Sequence, residues 1–221
     1  MTPKYQKEVG LSQIKELITE TEDFQEFANR YFDYLYRLLK ELDTSTLDAF
    51  VEELELARGQ ENTIFIVGNG GSAATASHMA NDLSMGAQMD EDKPFRALAL
   101  TDNVAAMTAT ANDFGYETLF VNQLKVFYRP GDKLVAISAS GNSPNVVNAA
   151  KWVKEQGGTV IGLVGFDGGA LKDNCDIAIH VNTNRKEYGP VGDIHIIVDH
   201  LIYSWFRTKG QREKLNEVIS Q

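Results

Sequence analysis

The chain has 221 residues, 43% of them hydrophobic and 24% charged, with a formal net charge of −10 and a single cysteine. This is the composition of an ordinary globular protein with room for a sizeable core, and it excludes wholesale disorder. The acidity repels polyanions, which argues against nucleic acid as a partner, and a lone cysteine excludes an internal disulfide.

Residues 1–10 are charged and lack the apolar core of a signal peptide. No later run approaches the roughly 18 apolar residues that span a bilayer, so the expected location is the cytoplasm with no membrane partner. Residues 11–59 contain no proline and carry apolar residues at alternating three- and four-residue steps, among them Phe24, Phe27, Tyr31, Leu35, Leu38 and Leu42. The spacing predicts two amphipathic helices, the second starting near Thr44 or Ser45 and stopping near Gly59. The aromatic stripe Phe24, Phe27 and Tyr31 reads as helix-packing core. Neither helix can bury its stripe alone, so both are expected to pack on the rest of the domain or on another subunit.

From Thr63 the chain alternates short apolar runs with glycine-bearing turns and helical patterns, as repeated βα units do. Strands are predicted at 64–67, 97–100, 134–137, 160–164 and 177–181, with helices beginning near Ser72, Asn103, Ser143 and Gly168. A final helix over 189–208 has Ile194, Ile197, Val198, Leu201, Ile202 and Trp205 as its buried stripe. Short, largely apolar strands suit a parallel sheet covered by helices on both faces, so the fold class is α/β. With no repeat or linker, residues 1–60 form a helical segment joined to a domain of residues 61–221 as one structural unit.

Two turns carry the chemistry. Gly68-Asn69-Gly70-Gly71-Ser72 follows a predicted strand and opens a predicted helix. Its glycines allow close backbone approach, and the helix start offers unpaired N–H groups and partial positive charge to an anion. The spacing matches neither the dinucleotide nor the nucleoside triphosphate pattern; taken alone, it is equally well a glycine turn with Ser72 as helix cap. The second turn, Ser138-Ala139-Ser140-Gly141-Asn142-Ser143-Pro144, again follows a strand and adds three hydroxyls at a helix start. In a parallel sheet both turns lie at the carboxyl edge of the strands, where ligands collect. A phosphorylated small molecule fits that pair of loops.

With the turns Asn112-Asp113-Phe114-Gly115 and Gly165-Phe166-Asp167-Gly168-Gly169, these loops resemble the SIS (sugar isomerase) domain family over about residues 61–206. Within it the chain is most similar to the bacterial phosphoheptose isomerases, which act on sedoheptulose 7-phosphate. The resemblance implies a three-layer αβα sandwich with a five-stranded parallel sheet, flavodoxin-like. It also implies N-terminal helices at an oligomer interface and a homotetramer whose sites are shared between subunits. The substrate contacts it implies fall on Asn69, Gly70, Gly71, Thr101, Asp102, Ser138, Ala139, Ser140 and Ser143, with Ser72 beginning the helix beside them. The serines would hold the phosphate, and Asp102 would accept from sugar hydroxyls.

His78 and Asp82, four apart on a predicted helix, share a face and could grip one ion, although by spacing alone a packed or surface histidine is the commoner reading. The resemblance implies a histidine, a glutamate, a glutamine and a second histidine as metal and catalytic positions, and here they read His78, Asp82, Gly192 and His200. His78, Asp82 and His200 are thus the expected zinc ligands, with Asp193 or a neighbouring subunit as a source of the absent one. Asp82 is the expected base for proton transfer through an enediol, and His200 the group that assists ring opening and shuttles protons to oxygen. His195 lies about 140° around the helix from His200 and is assigned to packing. Cys175 reads as a small buried residue.

The function implied is a phosphosugar isomerase that converts a ketose phosphate such as sedoheptulose 7-phosphate to its aldose, feeding nucleotide-activated heptose synthesis. Two alternatives stand beside it: a non-catalytic SIS module that binds a sugar phosphate or a protein partner, and an isomerase of another phosphosugar.

Overall fold

The computed structural model describes residues 13–87 and 93–219, with side chains through residue 209. Among the described residues the N-terminal segment holds three helices where two are expected: α1 (Gln13–Thr19), α2 (Phe24–Glu41) and α3 (Thr44–Gln60). The break before α2 is a reciprocal cap. The Asp23 carboxylate accepts from the Glu26 N–H at 2.8 Å, and the Glu26 carboxylate accepts from the Glu22 N–H at 3.0 Å. Asp43 caps α3 by accepting from the Ser45 N–H, and Glu61, at φ +62°, ends it.

Five strands follow: β1 (Thr63–Gly68), β2 (Arg96–Ala99), β3 (Lys133–Ser138), β4 (Thr159–Phe166) and β5 (Ile177–Asn182), each within two residues of expectation. All pair in parallel in the order β2-β1-β3-β4-β5. This is the flavodoxin-like order, and its direction reverses between β1 and β3, the point where open α/β sheets bind ligands. The two glycine and serine loops leave those two neighbouring strands.

Helix α4 (Gly71–Asn81) links β1 to β2 and runs into a π-helical turn, Asp82–Gly86. The single helix expected after Asn103 is two: α5 (Val104–Phe114), capped by the Asn103 side chain, and α6 (Leu119–Phe127) after a short 3-10 turn. Gly115, at φ +91°, turns the chain between them. Helices α7 (Pro144–Glu155), α8 (Gly169–Lys172) and α9 (Tyr188–Ile219) complete the chain, α9 running well beyond the expected end at 208.

Alternate strand residues feed two cores, which makes the three layers explicit. Ile64, Ile66, Val135, Ile137, Ile161 and Leu163 face Tyr34, Leu38, Phe50 and Leu54 of α2 and α3, Met79 of α4, and Ile194, Val198 and Ile202 of α9. Phe65, Val67, Leu134, Ala136 and Val160 face Phe120 and Leu124 of α6 and Val146, Ala150 and Val153 of α7. The N-terminal helices therefore share the main core. The aromatic stripe departs from expectation at Phe24, which is 81% exposed, its ring tilted against that of Phe27 at 6.4 Å. Apolar spacing identifies a helix face, but Phe24 lies in the first turn, beyond the reach of the sheet.

Candidate functional site

The first loop owes its shape to glycine. A Cβ at Gly68 would stand 2.5 Å from the Ser72 carbonyl oxygen, and Gly70, at φ +55°, is the N-cap of α4 with no side-chain cap. Ser72 therefore does not cap the helix, and the open helix start has the polarity an anion seeks.

In the second loop Ser143 is the N-cap of α7 with Pro144 behind it, yet its hydroxyl makes no capping bond and stands 3.4 Å from the Ser138 hydroxyl. Gly141, at φ +63°, fixes the turn against the fourth motif: Leu171 N–H donates to the Gly141 carbonyl at 2.8 Å, and Ala170 N–H to the Asn142 side chain at 3.1 Å. The two loops are tied to each other as well. Asn69 and Asn145 exchange amide bonds at 2.8 and 2.9 Å, and Tyr116 donates to Asn69 at 2.9 Å.

Both loops open into one cavity of about 660 Å³. Asn69, Gly70, Gly71, Ser72, Ser138, Ala139, Ser140 and Ser143 all line it. Its far side is formed by His78 from α4 and by Tyr188, Gly192, His195 and Ile196 from α9.

Beside His78 stand Asp82 and His200. The Nε2 atoms of His78 and His200 are 3.0 Å apart, and His78 Nε2 lies 3.5 Å from an Asp82 carboxylate oxygen. Asp82 opens the π-helical turn, its carbonyl accepting from Ala87 N–H at 2.7 Å, and only 13% of its side chain is exposed. Two donors of a tetrahedral zinc ion lie roughly 3.3 Å apart, from bond lengths of about 2.0–2.1 Å, so the separations of 3.0 and 3.5 Å suit the ion. The donor chemistry fits as well: two imidazoles and a carboxylate.

The SIS domain profile matches residues 30–165. The chain belongs to the SIS domain family. Its similarity is to the phosphoheptose isomerases of that family. It is 45% identical over 149 residues to the phosphoheptose isomerase of Nitratidesulfovibrio vulgaris, covering 67% of this chain and 69% of that one. It is 35% identical over 175 residues to the probable phosphoheptose isomerase of Thermoplasma acidophilum, covering 79% and 94%. The solved phosphoheptose isomerase of Neisseria gonorrhoeae superposes with a TM-score of 0.75 at 30% identity, over 84% of this chain and all of that one.

Against the SIS pattern, Thr101 and Asp102 are the exceptions among the expected contacts: neither lines the cavity. They follow the edge strand β2 and are bound to α4, where the Ser77 hydroxyl donates to Asp102 and lies 3.1 Å from the Thr101 hydroxyl. Asp82 and His200 also stand outside the lining, in contact with His78. At Gly192 an added Cβ would meet nothing within 4 Å, so the absent side chain leaves open space. Asp193 accepts from the Tyr31 hydroxyl at 2.5 Å.

Three residues of α9 stand at the cavity or the cluster in places the sequence reading did not give them. His195 is packed as expected, 1% exposed, but it also lines the cavity. A hydrogen bond to the Val164 backbone holds its ring, its Nε2 has no partner, and burial lowers its pKa to about 4, so it is neutral at pH 7. Tyr188 is an exposed ring at the cavity edge, seated edge-on against Phe166. Asp199 is 1% exposed, its Oδ2 is unpartnered, and burial with the nearby Asp82 charge raises its pKa to about 7. Adjacency to His200 was the one signal available for Asp199. Cys175 is a spectator: burial raises its pKa to about 12, and its thiol donates to the Leu171 carbonyl.

Proposed function

We propose that this SIS protein is an aldose-ketose isomerase that interconverts sedoheptulose 7-phosphate and the corresponding aldose heptose 7-phosphate through an enediol. The observation that carries the reading is the continuity of one cavity from the serine and glycine loops to His78, which touches His200 and Asp82. A phosphate seated on the loops directs the other end of a seven-carbon chain toward that cluster. The sugar itself is taken from the relatives, whose names are phosphoheptose isomerase.

The phosphate is held by the N-termini of α4 and α7 and by the hydroxyls of Ser72, Ser138, Ser140 and Ser143, which need no cationic side chain to bind it. Asp82 takes the proton from one of the two reacting carbons and returns it to the other, a role supported by its carboxylate lying 3.5 Å from His78, which lines the cavity. His200 passes protons to and from the sugar oxygens during ring opening and enediol formation. Zinc, when bound by His78, Asp82 and His200, would polarise the carbonyl and stabilise negative charge developing on its oxygen.

We place the active enzyme in a homotetramer whose neighbouring subunit closes each site. His78 and His200 are exposed, and next to them along the same elements Met85, Leu201 and Trp205 remain 71%, 54% and 45% exposed. Phe24 and Phe32 leave a second apolar surface on α2, which suits N-terminal helices at an interface. Among the described residues no helix is long and apolar enough to cross a membrane. A sugar phosphate substrate supports a cytoplasmic enzyme.

Incubation of the purified chain with sedoheptulose 7-phosphate in deuterated water tests the reading. Heptose 7-phosphate should form with deuterium at the reacting carbon, and Asp82→Asn should lower kcat on the order of a hundredfold or more. Product no greater than that of Asp82→Ala would reject the isomerase, and saturable binding of the sugar phosphate without turnover would make the protein a sensor.

A further inference from the structure

Beside the cavity, where α4 meets α9, His78, Asp82, Asp199 and His200 each bring one ligand atom to within 4.8 Å of the others. Asp199 is the member that the isomerase reading leaves without a task. Its side chain is 1% exposed and its Oδ2 accepts from no donor. A carboxylate in that state is costly, because burial removes the hydration of that oxygen and supplies it no donor in return. A second carboxylate, Asp82, stands in the same cluster and adds its repulsion to that cost. Two converging acids, one of them buried with an unpartnered oxygen, are best stabilised as anions around a cation.

We infer that Asp199 is a fourth protein ligand to a divalent transition-metal ion, held together with His78, Asp82 and His200. Two carboxylates neutralise the dication and two neutral imidazoles complete an N2O2 set, which suits zinc and, by its oxygen content, manganese, iron or cobalt. Gly192, the α9 residue at which the family resemblance implies an amide ligand, offers no side chain, and Asp193 beside it is held by Tyr31. The burden of completing the site on α9 falls to Asp199, next to His200. The alternative is a metal-free cluster closed by the 3.0 Å contact between the two imidazoles.

The inference rests on the cluster assigned above to catalysis, but its test does not depend on turnover. The full chain, stripped of metal with a chelator, is titrated with cobalt(II) while the visible d-d absorption is recorded, and zinc is then used to displace it. The wild type should take up one equivalent per chain with an intense, low-symmetry spectrum. Asp199→Asn should weaken cobalt binding by more than the roughly 10–100-fold lost with a merely orienting neighbour, and should change the spectrum. Thermal unfolding supplies the second readout. Metal-free Asp199→Asn should melt at or above the wild type, since a buried unpaired charge is gone, while the rise in melting temperature that zinc gives the wild type should largely vanish.

Binding and spectrum unchanged in Asp199→Asn would overturn the assignment, as would a metal-free variant that melts well below the wild type with zinc stabilisation intact. A wild type that binds neither cobalt nor zinc yet converts sedoheptulose 7-phosphate would remove the metal and leave the isomerase standing. Metal binding lost with Asp199 in a chain that turns over no sugar would support the ligand and reject the isomerase.

Discussion

Asn69 and Asn145 grip each other by both ends of their amides, one side chain from the loop after β1 and the other from the first turn of α7. Asn145 is fully buried, and the Asn69 oxygen also accepts from Tyr116, so the two phosphate loops are one rigid body across the switch point of the sheet. A phosphate that touches both loops thus meets donors already in place, which lowers the cost of ordering them on binding.

Asn145→Ala should therefore act twice. Loss of the paired amide leaves Asn69 short of its buried partner and should destabilise the fold by about 2–4 kcal/mol in urea unfolding. The loosened loops should also raise KM for the sugar phosphate on the order of tenfold, with a smaller change in kcat. Wild-type KM in the folded variant would show that the clasp does not position the phosphate loops.

Glycine at 141 carries the second loop. An added Cβ would lie 1.8 Å from the Gly168 carbonyl oxygen, on a backbone already at φ +63°. Gly141→Ala should cost more than about 3 kcal/mol, since the left-handed strain and the backbone clash add. Gly59→Ala is the contrasting case: within α3 and with nothing inside 4 Å of a Cβ, it should stabilise by up to about 1 kcal/mol. Chemical denaturation of the two variants side by side gives both signs.

The sheet and the phosphate loops were legible because each is written locally. A short apolar run, a glycine turn and a helix start fall within about 15 residues, and the same sentence is repeated after β1 and β3. The break between α1 and α2 was not legible, because Asp23 and Glu26 read as the solvated face of a longer helix until their capping bonds are seen. Asp199 and Tyr188 were hidden for another reason. Whether a polar residue on α9 faces the cavity, the cluster or solvent depends on how that helix lies against α4, and no pattern within α9 encodes it. Thr101 and Asp102 show the converse, since the family pattern places them at the substrate while their hydroxyl and carboxylate are engaged with Ser77.

Two tyrosines of α2 reach the chain around the start of α9, and burial separates their worth. Tyr34 donates to Glu187 at 2.6 Å, with the residues 5% and 2% exposed and Glu187 Oε1 unpartnered. Tyr31 donates to Asp193 at 2.5 Å, where both residues retain some solvent. Burial and the acceptor carboxylates push both phenol pKa values above their ordinary range, so each remains a donor at any pH the fold survives. Tyr34→Phe should cost about 3 kcal/mol by stripping a buried carboxylate of its donor, and Tyr31→Phe about 1 kcal/mol. Equal losses in urea unfolding would mean that water replaces the Tyr34 hydroxyl at the Glu187 carboxylate.

Burial of His195 sets a pH signature. Its pKa is lowered from 6.5 to about 4, so between those values the unfolded chain binds a proton that the folded chain refuses. Stability from this group is complete above pH 6.5 and is lost as pH falls toward 4, by about 3 kcal/mol in all. Asp199 in the metal-free chain has the opposite slope: its folded pKa, raised from 3.8 to about 7, makes stability fall as pH rises across that window. The two partly cancel in the wild type, so the total pH profile is uninformative and the difference between wild type and His195→Gln is the quantity to measure. Asp199 contributes equally to both chains and drops out. Unfolding free energies of the metal-free proteins at half-unit steps should show the wild type gaining on His195→Gln by about 3 kcal/mol from pH 4 to 6.5, then levelling. A difference that stays flat across that range would mean the imidazole is not held neutral at the cavity wall.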